Sequence, residues 1–221
     1  HGANLSSANL SSADLHGADL SYAYISGASL SSADLSYANL SGASLSSASL
    51  SSADLHGANL SGANLSSADL HGANLSSANL SSADLHGADL SYAYISGASL
   101  SSADLHGANL SYANLSGANL SSADLHDADL SGATLSGATL SGASIKSGVT
   151  VRRAPVQVSG LVWPVKIWDD HMQIGCELHS HAEWAAFSEE EIAKMEPRAA
   201  EFWAAYRSAL LDICMQHAPG D

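Results

Sequence analysis

The stretch ANLSSANLSS at residues 3–12 shows the pattern that decides the fold, and residues 1–145 repeat it as twenty-nine units of five residues. Ala stands at position 3 and at every fifth residue after it, and Leu or Ile follows two residues later in each unit. On an α-helix, residues five apart are rotated by roughly 140° and cannot form an apolar stripe. In an extended segment, residues two apart face the same side. Each unit is therefore predicted to be a short strand followed by a corner.

No single unit can bury its own apolar face, so a short fixed period predicts stacked coils around a continuous core. The inward positions hold twenty-nine Ala, twenty-six Leu and three Ile. The predicted core residues include Leu5, Leu10, Leu15, Ile25, Ile95 and Ile145.

These units resemble the A-(D/N)-L-x-x motif of the pentapeptide repeat family over about two thirds of the chain. The resemblance implies a mainly β fold, a right-handed quadrilateral β-helix with four pentapeptides per coil, in which residues twenty apart stack. Twenty-nine units would give about seven coils, and a solenoid roughly 35 Å long at normal strand spacing. We assign residues 1–148 to this solenoid.

The charge pattern limits the partners. Residues 1–145 contain eleven Asp and no Lys, Arg or Glu, whereas residues 146–221 contain seven basic and eleven acidic residues. Phosphate contacts depend on Lys and Arg, so direct nucleic-acid binding and binding to anionic membranes are not expected. No run of eighteen apolar residues predicts a membrane span. A cytoplasmic location is favoured, although the chain begins without Met and an upstream signal remains an open alternative.

Aspartate and histidine recur together on the outward surface. Six of the seven histidines in the repeats follow an Asp by two residues, and the spacing of twenty predicts parallel columns. These columns contain Asp84, Asp104 and Asp124 beside His86, His106 and His126. One hypothesis is a pH-sensitive or cation-binding strip. The alternative is that the unit was simply copied, since residues 1–35 and 71–105 are identical.

Four tyrosines occupy outward corner positions, and they are Tyr22, Tyr37, Tyr92 and Tyr112. The spacing of twenty predicts that Tyr92 and Tyr112 stack. They form either an aromatic contact patch or a cover for the coils.

After residue 148 the pattern changes, and residues 149–221 are predicted to form a small strand-plus-helix capping or docking module. Short strands are expected between residues 149 and 175. Ser180 with Glu183 and Ser188 with Glu191 have the spacing of helix capping boxes. The apolar residues expected to pack in this module are Trp184, Phe202, Trp203, Tyr206, Leu210 and Ile213.

Cysteines and histidines in this module give a weak chemical signal. Cys176, His179 and His181 supply sulfur and nitrogen ligands close together, but their spacing is not that of a known zinc site. Cys176 and Cys214 are either free buried thiols, which we favour, or a disulfide. No catalytic motif is present, so neither an enzyme nor a cofactor is expected. Residues 174–184 also resemble the tail segment of some phage-associated proteins.

Two functions remain in contention. The first is a non-enzymatic structural or protein-interaction rod, with an unidentified protein or a second copy of the chain as its partner. The second follows from the family resemblance, because some acidic members mimic duplex DNA and bind type II topoisomerases such as DNA gyrase. Eleven charges over roughly 35 Å fall short of the one charge per about 1.7 Å of B-DNA, which favours the rod.

Overall fold

The structure is a computed structural model that describes residues 1–146, 149–151, 155–158, 161–163, 165–175, 177–196 and 198–217. It divides the chain into two compact units, His1–Ala154 and Pro155–Asp221. The division lies six residues beyond the predicted end of the solenoid at residue 148. The reason is that strand β1, Ala143–Lys146, pairs antiparallel with strand β2, Val149–Val151.

The first unit is a winding whose period is twenty residues. Parallel bridges join residues twenty apart, from Asn4 and Tyr24 to Asp124 and Ser144, and they form four stacks. In each stack the Leu N–H donates to the next coil, as Leu45 N does to Asn64 O at 2.7 Å. Four pentapeptides therefore complete one coil, and each contributes one wall.

Leucine, isoleucine and alanine fill the interior of this winding. Ile25 and Ile95 are fully buried, as are Leu and Ala throughout the middle coils. Leu5, Leu10 and Leu15 are only partly buried, because a coil packs on one side of them alone. Ile145 is also only partly buried, since the regular winding ends there. These four belong to the edges of the core.

Each corner is a tight turn closed by a backbone hydrogen bond. The Ala N–H donates to the carbonyl of the Leu or Ile three residues earlier at 2.9–3.2 Å. The second corner residue has a φ between +54° and +76° in all twenty-nine units. A turn with positive φ at its third residue favours Gly or a small polar residue, which explains the Ser and Gly of the repeat.

In its described residues, the second unit is a four-stranded antiparallel sheet followed by three helices. Neighbouring strands in sequence are neighbours in the sheet: β3 Val156–Val158, β4 Val165–Ile167, β5 His171–Ile174 and β6 Glu177–Ser180. The helices are α1 His181–Ala186, α2 Glu189–Met195 and α3 Ala199–His217. Both predicted capping boxes are confirmed at the starts of α1 and α2.

The core of the second unit contains most of the apolar residues that the sequence indicates. Trp184, Phe202, Trp203 and Leu210 are buried, and Ile213 is partly buried against them. Tyr206 differs from the expectation because it is 38% exposed, with its ring 5.0 Å from that of Phe202. None of the helices in the described ranges has the length and apolarity that a membrane span requires.

Candidate interaction surfaces

Aspartate and asparagine side chains on the solenoid walls cap their own corners. All ten Asp and all ten Asn before Leu accept the backbone N–H two residues later through Oδ1, at 2.8–3.2 Å. Short side chains with a carbonyl or carboxylate oxygen make this bond readily at turns. The acidic residues of the repeat therefore stabilise the turns.

The Asp column lies on one wall of the winding, and the His column lies along the corner that follows it. Asp84, Asp104 and Asp124 are joined by successive parallel bridges. The rings of His86 and His106 are stacked, with centroids 5.1 Å apart and planes 6° apart. His126 continues the column, 6.2 Å from His106 and tilted by 39°.

Hydrogen bonds already occupy the carboxylate at the end of this column. Asp124 Oδ1 accepts the backbone N–H of His126 at 3.0 Å and is also bonded to its Nδ1. Partial burial acts to raise the pKa of Asp124, but the bonds from His126 and Ser144 outweigh it and hold that pKa below its usual value. Within the described part of the chain, no group of three acidic, His or Cys residues has the arrangement of a metal site. A cation-binding role for the strip stays a hypothesis.

Other histidines of the repeat bond to the coil that follows. Nδ1 of His16 lies 2.8 Å from Ser36 Oγ, and Nδ1 of His71 lies 2.8 Å from Ser91 Oγ. Ser36 and Ser91 are consequently buried, which is unusual for an outward corner. The sequence analysis missed these contacts, although a Ser twenty residues after each such His is their signal.

The corner tyrosines lie over glycines one coil later. A Cβ on Gly42 would lie 2.7 Å from the ring of Tyr22, and a Cβ on Gly57 would lie 2.8 Å from the ring of Tyr37. Tyr112 covers Gly132 in the same way and stacks on Tyr92, with centroids 5.0 Å apart and planes 13° apart. The predicted stacking of Tyr92 and Tyr112 is present.

Six tyrosines are the exposed large hydrophobic residues of the described solenoid. Each is 55–61% exposed, and they are Tyr22, Tyr24, Tyr37, Tyr92, Tyr94 and Tyr112. The sequence analysis overlooked Tyr24 and Tyr94, although their position before Ile is an outward one. Tyr24 and Tyr94 belong to bridge stacks two walls apart, so they lie on opposite walls.

The two candidate metal ligands of the second unit that the structure describes, His179 and His181, have other partners. His179 Nε2 lies 3.4 Å from Glu177, and its ring contacts Trp184 edge-on. His181 Nε2 lies 3.0 Å from the carbonyl oxygen of His171. Cys176 lies outside the described residues.

Comparisons with known proteins identify the repeat. The family model for pentapeptide repeats matches residues 1–36, 28–66, 68–107 and 103–142. Among solved structures, HetL is 33% identical over 67% of this chain and 92% of its own, with a TM-score of 0.27. HetL is a pentapeptide repeat protein involved in heterocyst differentiation regulation from the cyanobacterium Nostoc sp. strain PCC 7120.

Two further solved structures are also similar to the chain. A trypsin-treated variant of QnrB1, a plasmid-mediated fluoroquinolone resistance protein, is 20% identical over 65% of this chain and 79% of its own, with a TM-score of 0.53. A pentapeptide repeat protein from the Arabidopsis thaliana thylakoid lumen is 31% identical over 52% of this chain and 70% of its own, with a TM-score of 0.18. A comparison with curated proteins gave no match. Because the family model covers more than half of its length, the chain belongs to the pentapeptide repeat family, whose fold is a right-handed β-helix.

Proposed function

We propose that the chain is a non-enzymatic structural or protein-interaction rod, which presents the outer side chains of its coils to a protein partner. Members of the family are generally structural or interaction proteins. The observation that carries the proposal is the outer surface itself. Its short polar side chains are committed to bonds within the walls, and exposed tyrosines interrupt this surface at a few places.

The period of twenty residues gives the rod its dimensions. Twenty-nine units correspond to about seven coils, and a strand spacing of about 4.8 Å gives a length on the order of 35 Å. Each coil repeats the same backbone bonds, so the walls provide a regular spacer.

The internal duplication supplies two surfaces of the same sequence. Residues 1–35 and 71–105 are identical, and their offset of seventy residues corresponds to three and a half coils. The His1–Tyr22 ring pair has centroids 5.4 Å apart at 70°, and the His71–Tyr92 pair has centroids 5.5 Å apart at 66°. Because the half coil places the copies on opposite walls, the rod can hold two copies of one partner. Tyrosine is enriched among residues that dominate binding energy, which favours these rings as the contact points.

Affinity capture with the full chain and its variants tests this proposal. The Tyr22→Ser/Tyr24→Ser variant and the Tyr92→Ser/Tyr94→Ser variant should each recover roughly half as much partner, and the combined variant should recover almost none. Tyr37→Ser is the matched control because Tyr37 is equally exposed but outside both pairs. Unchanged recovery by the combined variant would contradict the proposal.

Mimicry of DNA toward a type II topoisomerase is the second candidate. The bridged column of Asp14, Asp34 and Asp54 favours it, as does the second column at Asp84, Asp104 and Asp124. However, the two columns lie on opposite walls, and all six carboxylates cap turns. A DNA gyrase supercoiling assay discriminates the two functions, since inhibition by the chain would support mimicry and unchanged supercoiling would support the rod.

The second unit completes the proposal as a capping or docking module, with self-association as one use of it. Sedimentation of the full chain over a range of concentrations should show an increasing mean mass if copies associate, and a constant monomer mass would contradict association. The phage or prophage context remains a hypothesis that rests on the resemblance of residues 174–184.

A further inference from the structure

A small cavity lies within the second unit, between the β5–β6 end of the sheet and helices α2 and α3. Its volume is about 130 Å³. Cavities of about 150 Å³ admit a molecule such as benzene, so this one suits a ligand of a few non-hydrogen atoms.

Aromatic side chains form much of the cavity wall. Trp163, Trp184, Phe202 and Trp203 all line it. The ring centroids of Trp163 and Phe202 lie 5.0 Å apart, and those of Trp184 and Trp203 lie 5.2 Å apart. Trp184 is held in place because its Nε1 donates to Met172 O at 2.6 Å. The rings therefore form a preorganised aromatic surface, which attracts cations through the negative faces of the rings.

Two glutamates are among the residues that line the same cavity. Glu196 is exposed, and Glu177 is partly exposed with its Oε2 3.4 Å from His179 Nε2. Residues 155–221 contain eleven acidic and four basic residues, which gives this unit a net charge of −7. The two glutamates attract a cation at short range, and the net negative charge of the unit attracts it at long range.

We propose that this cavity binds a small methylated ammonium ion, with choline as the test ligand. A bare ammonium carries donors that the mainly apolar wall cannot satisfy, whereas methyl groups remove those donors and contact the rings. A ligand that also carries a carboxylate would be repelled by the net negative charge of the unit. This site is independent of the rod function, because all of its residues belong to the second unit.

Titration of the full chain by calorimetry and by tryptophan fluorescence tests the proposal. All four tryptophans lie in the second unit, so fluorescence reports on this region directly. Choline is compared with 3,3-dimethylbutan-1-ol, which has the same shape without the charge. Choline should bind at least about tenfold more tightly, because the attraction to rings and carboxylates requires the positive charge. Equal affinities, or no binding of choline, would overturn the proposal.

Variants locate the binding site. Trp163→Leu and the double variant Glu177→Gln/Glu196→Gln should each weaken choline binding about tenfold. Glu190→Gln removes an exposed charge of α2 that does not line the cavity, and it should bind as the original chain does. Since Trp163→Leu could perturb folding, the double variant at Glu177 and Glu196 is the decisive one. Unchanged choline affinity in that double variant would contradict the assignment, as would tighter binding of a trimethyl-lysine peptide than of choline.

Discussion

Replacing Gly42 with alanine tests how the corner tyrosines pack on the coil that follows. Gly42 has a φ of +63°, and a Cβ at this position would lie 2.7 Å from the ring of Tyr22. Gly62, one coil further along the same corner, also has a φ of +63°, but a Cβ there would meet no atom within 4 Å. The two glycines therefore differ in the tyrosine contact and share the backbone conformation.

The expected destabilisation follows from these two contributions. An alanine in the left-handed region costs about 1–2 kcal/mol, which is the whole effect expected for Gly62→Ala. In Gly42→Ala the ring must also move away or strain its neighbours, at a further cost of about 1–3 kcal/mol. In the Tyr22→Ser background, Gly42→Ala should cost no more than Gly62→Ala does.

Hydrogen exchange measured by mass spectrometry provides the assay, because it reports the local opening free energy of the coil at residues 41–60. Each loss of about 1.4 kcal/mol reduces amide protection about tenfold. Equal loss of protection in Gly42→Ala and Gly62→Ala would refute the reasoning. A larger loss from Gly42→Ala in the Tyr22→Ser background than from Gly62→Ala would refute it as well.

Three other predictions follow from side chains whose partners are known. Asp104→Ala removes the acceptor of the His106 backbone N–H, so urea unfolding should show a destabilisation of about 1 kcal/mol. Asp104→Asn should have almost no effect, because Asn109 accepts the equivalent backbone N–H of Ser111. The Ser36 hydroxyl and backbone N–H hold the pKa of Asp34 below its usual value. Ionised Asp34 therefore stabilises the fold fully above its unfolded-state pKa of about 3.9, and this stabilisation is lost as the pH falls through the lower pKa of the folded state. Thermal unfolding followed from pH 6 to pH 2 should therefore show a decrease below about pH 4 that is smaller in Asp34→Asn, and an equal decrease in both chains would count against this cause. Burial raises the pKa of the Cys214 thiol to about 11, so maleimide should label this thiol at pH 8 only after unfolding. Rapid labelling of Cys214 in the folded chain would contradict this prediction.

The winding could be predicted from the sequence because the same pair, Ala followed by Leu or Ile two residues later, repeats twenty-nine times. Ala and Leu two residues apart can share a face only in an extended segment, and no unit buries that face alone. The helix starts at Ser180 and Ser188 were predictable for a related reason, since a capping box depends on residues three apart in sequence. Local chemistry determined both features.

Contacts between coils and between helices were harder to predict. The twenty-residue stacking implied by the family resemblance predicted that Tyr92 and Tyr112 meet. It did not predict that the Tyr22 ring lies over Gly42, because the sequence does not show how a corner side chain lies on the next coil. Tyr206 has helical spacing but remains 38% exposed, because its neighbours on α3 already fill the core. The aromatic cavity gathers Trp163 from the start of the unit and Trp203 from its last helix, and no short motif announces that arrangement.

Disulfide cross-linking across the coils tests the twenty-residue winding most directly. Neighbouring strands lie about 4.8 Å apart, and a disulfide requires Cα atoms about 4.4–6.8 Å apart. The pair Ser46→Cys and Ser66→Cys, twenty residues apart on one corner, should therefore form a disulfide under mild oxidation, identified by peptide mapping. The pair Ser46→Cys and Ser61→Cys, fifteen residues apart, should remain reduced, and preferential cross-linking of this second pair would contradict the account.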